Sequence, residues 1–184
     1  MGSKGGGKSR GSSGVFFCFI GVYGPNLNKR HRKMWEELIG LIGWWDLSWC
    51  LGGDFNIIRF PSERLGAASC AQAMFGFSDF ISLHELIDIS MEGGLYTWSN
   101  TFSTSRIYWF FFSPLLGDHF TLFSQKRLSR VLSDHFPILL EGGAIGELEL
   151  LFILKICVCG WRILLIKWRL GGHLTCSKEI IVLY

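Results

Sequence analysis

Two short acidic motifs contain the residues of this sequence that could do chemistry. Gly-Gly-Asp-Phe-Asn occupies positions 52–56 and Ser-Asp-His occupies positions 133–135. Each motif adjoins an apolar run typical of a buried strand, so each carries a carboxylate at a strand end. A carboxylate that orients water, an amide that holds a phosphoryl oxygen and an Asp–His pair together favour metal-assisted phosphodiester hydrolysis.

Apolar patterning predicts the elements that position the first motif. Residues 15–22 form a short aromatic and β-branched run that predicts a buried strand, and residues 48–51 predict a second strand leading into the motif. Residues 28–42 and 74–86 repeat apolar side chains every three or four positions, which predicts two amphipathic helices.

Three later strands are predicted at 95–99, at 106–112 and in a last strand closed by 139–140. The order β-α-β-α-β-β-β predicts an α/β fold whose polar residues gather at strand ends. The aromatic run 108–112 could stack on nucleic-acid bases. A continuous apolar run is more typical of a strand buried on both faces, which is our interpretation.

Two unlike segments flank this pattern. Residues 1–14 are a Gly/Ser/Lys stretch that predicts a flexible tail. Residues 2–9 match the phosphate-binding pattern G-x-x-x-x-G-K-[ST], but no strand precedes the match and no helix follows it, so we assign it to the tail. Residues 15–143 form the predicted domain, and residues 144–184 are an apolar tail to which the sequence assigns no role.

Composition excludes an intrinsically disordered chain. Of the 184 residues, 49% are hydrophobic, and 16 are Phe and 8 are Trp. The net charge of +3 permits a polyanionic partner without arguing for one. The run 148–166 is long enough to span a membrane, but Glu149, Lys155 and Arg162 interrupt it, so a membrane span is not expected.

The six cysteines follow no disulfide framework, and we expect buried, reduced thiols of an intracellular protein. Four side chains near the end of the sequence are of the types that bind zinc: Cys157, Cys159, His173 and Cys176. A single residue separates the first two cysteines, which is tighter than the usual zinc knuckle, so a zinc site is not favoured.

Six segments, in this order, resemble one family. They are Val-Tyr-Gly-Pro-Asn at 22–26, Met-Trp-Glu-Glu-Leu at 34–38, Trp-Cys-Leu-Gly-Gly-Asp-Phe-Asn at 49–56, Arg-Phe-Pro-Ser-Glu-Arg at 59–64, Gly-Leu-Tyr-Thr-Trp-Ser at 94–99 and Ser-Asp-His-Phe-Pro-Ile at 133–138. Together they resemble the endonuclease/exonuclease/phosphatase superfamily, which has the DNase I-like fold. More narrowly, they resemble the endonuclease domain of plant LINE-type (non-LTR) retrotransposons.

This resemblance implies a fold, a cofactor and a partner. The fold would be a partial four-layer α/β sandwich, with mixed β-sheets and flanking helices. The activity would be Mg²⁺-dependent hydrolysis of DNA phosphodiesters in the nucleus, with no small-molecule cofactor. By the same resemblance Tyr23 would contact the scissile phosphate, Asp54 would orient the attacking water and Asn56 would hold a non-bridging oxygen. Thr97 and Ser133 match polar positions near the phosphate.

The second motif and two departures complete what the resemblance implies. His135 would touch the phosphate, while Asp134 would polarise His135 or bind the metal. The family places a catalytic Asn and its main metal-binding Glu upstream of the Tyr-Gly-Pro motif, where this sequence has the Gly/Ser tail. Tyr108 and Trp109 stand where the family commonly has Asp and Arg. We therefore expect an N-terminally truncated domain with weak Mg²⁺ binding.

Three hypotheses remain open from the sequence. The first is a fragment of a Mg²⁺-dependent DNA endonuclease that is weakly active or inactive. The second is a non-catalytic nucleic-acid-binding or interaction remnant, which would use the basic tail and the helix around 29–33. The third is a chain that does not fold stably, because loss of half of a two-sheet sandwich would expose an apolar sheet face.

Overall fold

A computed structural model describes residues 15–44, 48–66, 71–130, 133–144, 149–154, 162–170 and 181–183. Within these ranges the chain forms twelve strands, three α-helices and one short 3₁₀ helix. In chain order they are β1 (Val15–Tyr23), α1 (Asn28–Trp44), β2 (Ser48–Asp54), the 3₁₀ helix (Pro61–Glu63), α2 (Gln72–Leu83), β3 (Ile87–Asp88), β4 (Met91–Glu92), β5 (Trp98–Ser99), β6 (Thr104–Ser105), β7 (Tyr108–Phe112), α3 (Pro114–His119), β8 (Phe120–Arg127), β9 (Ile138–Ala144), β10 (Glu149–Leu154), β11 (Arg162–Leu170) and β12 (Ile181–Leu183).

The described strands form three sheets, two of which are mixed. Six strands lie in the order β12-β11-β1-β2-β7-β3, where β1 and β2 are parallel and the other neighbours are antiparallel. Four strands lie in the order β10-β9-β8-β4, where β4 and β8 are parallel. Strands β5 and β6 form an antiparallel pair. The predicted α/β class, with mixed sheets and flanking helices, is confirmed.

Two apolar cores lie on opposite faces of the six-stranded sheet. On one face, α1 and α2 pack against β1, β2 and β7, and the indole of Trp35 stacks on the rings of Phe77 at 5.3 Å and Phe80 at 4.9 Å. On the other face, Ile138 and Leu140 of β9 pack against side chains from β1, β2 and β7. The described residues therefore form a helix layer, a six-stranded sheet and a four-stranded sheet.

Strand β7 lies between these two cores. Its five side chains are all buried, with relative exposures of 0–1%. Tyr108, Phe110 and Phe112 belong to the core shared with the four-stranded sheet, whereas Trp109 and Phe111 belong to the core under the helices. Successive side chains of a strand point to opposite faces, so a strand between two cores needs apolar residues throughout. The predicted doubly buried strand is confirmed.

Several predicted boundaries differ from the structure. The second helix runs from Gln72 to Leu83 instead of over 74–86. The strand predicted at 95–99 is limited to Trp98–Ser99, because Gly93 and Gly94 adopt positive φ angles and keep the preceding chain in a turn. Strand β8 was not predicted at all.

Three strands come from residues 144–184, to which the sequence assigned no role. Strand β11 pairs with β1 along its whole length, from Val15 opposite Leu170 to Tyr23 opposite Arg162. Strand β12 extends the same sheet, and β10 extends the four-stranded sheet. Pairing with β11 occupies the backbone groups on one side of β1, which would otherwise be an open sheet edge.

Some predictions fall partly or wholly outside the described residues. The tail 1–14, with its match at 2–9, lies outside them, as do the four zinc-type side chains near the end of the sequence. Cys18 and Cys50 are described, and both side chains are buried. No helix in the described part of the chain has the length and apolar character needed to cross a membrane.

Candidate active site

Two strand ends bring the first predicted site residues together. Strands β1 and β2 are parallel neighbours, and Tyr23 at the end of β1 is the register partner of Asp54 at the end of β2. The backbone N–H of Gly24 then donates a hydrogen bond to the carbonyl oxygen of Asp54 at 2.6 Å. Neighbouring parallel strands end at the same sheet edge, where α/β folds place their sites.

Glycines make this close approach of β1 and β2 feasible. A Cβ on Gly53 would collide with the carbonyl oxygen of Val22, and a Cβ on Gly52 would collide with the ring of Phe110. Neither obstacle is the far end of a flexible side chain, so the backbone or the core would have to move. Close packing therefore explains why two glycines, Gly52 and Gly53, precede Asp54.

Asp54 is a buried carboxylate with an altered acidity. Its relative exposure is 1%, and its Oδ1 accepts a hydrogen bond from the backbone N–H of Asn56 at 2.9 Å. Burial raises the pKa of Asp54 from 3.8 to about 7, because the charged form loses its hydration. The hydrogen bond from Asn56 opposes this rise, and the negative charge of Asp134 adds to it.

Asn56 adopts a left-handed backbone conformation, with φ of 52°, which asparagine tolerates better than most residues. Its Nδ2 donates a hydrogen bond to the carbonyl oxygen of Gly24 at 2.7 Å. An amide nitrogen carries two hydrogens, so this bond leaves one N–H for a ligand. The bond to Gly24 also fixes the Asn56 side chain beside the ends of β1 and β2.

His135 lies between two carboxylates. Its Nδ1 is 3.9 Å from Oδ2 of Asp54, and its Nε2 is 3.7 Å from Oδ1 of Asp134. Its imidazole stacks on the ring of Tyr108, with the ring centroids 5.3 Å apart. Burial lowers the pKa of His135, although the charge of Asp134 opposes this effect. Since burial favours the neutral forms of both Asp54 and His135, and 3.9 Å exceeds hydrogen-bonding distance, we interpret their contact as neither a hydrogen bond nor a full ion pair.

The backbone around His135 is tied to the segment at 97–99. Trp98 and His135 form an isolated antiparallel bridge, and the N–H of Phe136 donates to the carbonyl oxygen of Thr97 at 2.8 Å. Asp134 itself is exposed, and its Oδ2 accepts a hydrogen bond from Trp98 Nε1 at 2.8 Å. Ser133 is also exposed, and its Oγ accepts from the backbone N–H of His135 at 3.1 Å.

Thr97 is buried, and its hydroxyl bonds to backbone groups. Its relative exposure is 0%, and its Oγ1 accepts hydrogen bonds from the backbone N–H groups of Ile107 at 2.9 Å and Tyr108 at 3.0 Å. The same oxygen lies 3.5 Å from the carbonyl oxygen of Ser105, to which it donates. The Thr97 hydroxyl therefore links the chain just before β5 to the start of β7.

A pocket of about 340 Å³ opens at this edge of the sheet. Nine described residues line it: Tyr23, Asn26, Asp54, Asn56, Arg64, Trp98, Ser105, Ile107 and His135. Four of the seven predicted site residues therefore share one pocket. The other three, Thr97, Ser133 and Asp134, lie beside it.

Sequence reasoning assigned no role to four polar residues of the pocket, Asn26, Arg64, Trp98 and Ser105. Asn26, Arg64 and Trp98 lie inside segments that carried the family resemblance, which is the signal that could have found them. No local pattern indicated the role of Ser105, because its contact with Arg64 joins positions 41 residues apart in the sequence.

The described donors do not fit a tightly held magnesium ion. Mg²⁺ prefers six oxygen ligands in octahedral geometry and usually keeps several waters. Asp54 and Asp134 lie on opposite sides of His135, and one oxygen of Asp134 already accepts from Trp98. In the described ranges, no three side chains of His, Cys, Asp or Glu are grouped so that they could hold a metal ion.

Comparison with known proteins adds no relative from which a function could be transferred. No protein-family model matches the chain, and no curated protein matches it. The functional proposal therefore depends on the geometry of the pocket and on the sequence motifs that line it.

Proposed function

We propose that this chain carries the site of a phosphodiester-hydrolysing DNA endonuclease of the DNase I-like, retrotransposon type, and that its activity is weak or absent. The supporting observation is the pocket of about 340 Å³, which is lined by Tyr23, Asp54, Asn56 and His135 from three separate segments of the sequence. The layering of helices, a six-stranded sheet and a four-stranded sheet is compatible with a partial four-layer sandwich.

Three of the pocket residues have a task in such a reaction. Asp54, when ionised, accepts a proton from the attacking water. Asn56 donates its remaining N–H to a phosphoryl oxygen, and His135 shares or transfers a proton beside the phosphate. The poor fit of the donors to Mg²⁺ is our reason for expecting weak turnover. The raised pKa of Asp54 implies that turnover increases as the pH rises through about 7, because only the ionised carboxylate acts as a base.

Nicking of supercoiled plasmid over a magnesium titration tests this proposal. We expect slow nicking that needs a high Mg²⁺ concentration and is lost in both Asp54→Ala and His135→Ala. The matched controls are Asp79→Ala, which changes an exposed carboxylate on α2, and His84→Ala, which changes an imidazole outside the pocket. Both controls should nick like the unmodified protein.

Three results would count against the proposal. Nicking that persists in Asp54→Ala and His135→Ala would come from another nuclease in the sample. Fast nicking at low Mg²⁺ that both variants abolish would contradict weak activity. A folded sample that neither nicks nor binds DNA would contradict the assignment of DNA phosphodiesters as the substrate.

A second candidate function is nucleic-acid binding without catalysis, and the surface of α1 favours it. Lys29, Arg30, Arg32 and Lys33 lie on the exposed side of its first turns, beside a groove of about 690 Å³ between α1 and α2. Arg32 and Lys33 pair with glutamates one turn later at 3.5 and 3.7 Å. Salt-dependent DNA binding that is lost on substitution of this surface, without nicking, would favour this second function.

A further inference from the structure

Arg64 is the one permanently charged cation among the described residues that line the pocket. The nearby carboxylate of Asp54 and the exposed carboxylate of Asp134 make the surroundings unfavourable for a phosphate. Within the described part of the chain, the Arg64 guanidinium forms no ion pair within 4.0 Å, so no carboxylate there neutralises it. A free cation facing a pocket is available to an anionic ligand.

The backbone of Arg64 is held in place by the neighbouring strand β6. Arg64 and Ser105 form an antiparallel bridge. On either side of it, the N–H of Leu65 donates to the carbonyl oxygen of Thr104 at 3.0 Å, and the N–H of Arg106 donates to that of Glu63 at 2.8 Å. The side chain of Arg64 is exposed, but it extends from a backbone position that these hydrogen bonds fix.

Ser105 fixes the orientation of the guanidinium. Its relative exposure is 0%, and its Oγ accepts a hydrogen bond from Nε of Arg64 at 2.9 Å. Guanidinium is planar, so a bond at Nε defines the plane and leaves the two terminal nitrogens to donate. Two parallel donors in that geometry match two oxygens of a phosphate.

Glu63, the neighbour of Arg64 in sequence, does not compete for this charge. Its Oε2 accepts hydrogen bonds from the backbone N–H groups of Arg59 at 2.7 Å and Phe60 at 3.0 Å. Its Oε1 lies 3.5 Å from Nη1 of Arg106. The carboxylate of Glu63 is thus fully engaged away from the pocket.

We propose that Arg64 binds the non-bridging oxygens of the substrate phosphodiester, that Ser105 positions it, and that nucleic acid consequently binds this pocket without magnesium. This inference rests on the proposed function, since it assigns a phosphodiester to the same pocket. It differs in requiring neither turnover nor a metal ion.

Fluorescence anisotropy of a short fluorescein-labelled DNA duplex, titrated in EDTA, tests the inference. Arg64→Ala should weaken binding by about ten- to a hundredfold, because a charge-assisted bidentate contact is lost. It should also reduce the slope of log affinity against log salt by about one, the loss of one phosphate contact. Arg64→Lys keeps the charge without the planar fork, so the slope should stay while affinity falls by about threefold or more. Ser105→Ala should weaken binding and leave the slope unchanged.

Lys126→Ala, which removes an exposed cation of β8 outside the pocket and outside the surface of α1, is the charge-matched control, and circular dichroism verifies that each variant is folded. Equal losses for Arg64→Ala and Lys126→Ala would overturn the inference, because any surface cation would then suffice. Binding that requires Mg²⁺ would overturn it as well. DNA binding in EDTA that depends on Arg64, in a protein that does not nick, would support this inference while the proposed catalysis fails.

Discussion

Replacing Asp54 by Asn should stabilise the protein at neutral and basic pH, although it removes the proposed base. The carboxylate is almost fully buried, and ionising it there removes its hydration. An asparagine keeps the Oδ1 acceptor for the backbone N–H of Asn56. It also turns an N–H toward Nδ1 of His135, a buried nitrogen without a hydrogen-bond partner among the described residues.

The magnitude follows from the two pKa values of Asp54. Burial raises the pKa from its ordinary value of 3.8 to about 7, a gap of about three. Each pKa unit corresponds to about 1.4 kcal/mol, so a folded protein with Asp54 ionised is destabilised by about 4 kcal/mol. Because the folded state holds the proton more tightly, this cost is absent below pH 3.8, grows as the pH rises, and is complete above about pH 7.

Urea denaturation of the two proteins at several pH values measures this effect. Asp54→Asn should exceed the unmodified protein in free energy of unfolding by about 2 kcal/mol near pH 5 and about 4 kcal/mol near pH 8. Asp79→Asn makes the same change at an exposed site on α2. It should shift the free energy of unfolding by less than about 0.5 kcal/mol at either pH.

Two results would refute this reasoning. If Asp54→Asn were less stable than the unmodified protein near pH 8, the carboxylate would be stabilised by a partner rather than penalised by burial. If the difference between the two proteins did not depend on pH, Asp54 would have the same pKa in the folded and unfolded states.

Two buried polar groups give further predictions, both measured by urea denaturation. Thr97→Val leaves two buried backbone N–H groups without their acceptor and should cost about 2–4 kcal/mol, whereas exposed Thr101→Val should cost almost nothing. Arg106→Ala leaves the carboxylates of Glu63 and Asp88 without their common partner. It should cost about 3–5 kcal/mol, and a cost below about 1 kcal/mol would show that solvent screens these charges.

Local patterning was sufficient for the elements whose burial is periodic. The helix periodicity of 28–42 predicted α1, because Met34 and Leu38 must face the same side to be buried. The continuous apolar run of β7 predicted burial on both faces. The strand-end position of Tyr23 followed from the turn residues Gly24 and Pro25 after the first apolar run. The second strand was predicted over 48–51, and the structure extends it to Asp54.

The sequence by itself determined the α/β class, the two long helices, the strands β1, β2, β7 and β9, and four side chains of one pocket. Tertiary structure alone decided the rest, because it depends on contacts between distant positions. Pairing of β11 with β1 joins positions 139 to 155 residues apart, and no local pattern specifies such a partner. Thr97 lies behind the pocket, whereas Ser105 turns Arg64 toward it. Only packing settles which hydroxyl satisfies buried backbone groups and which orients a charge for a ligand.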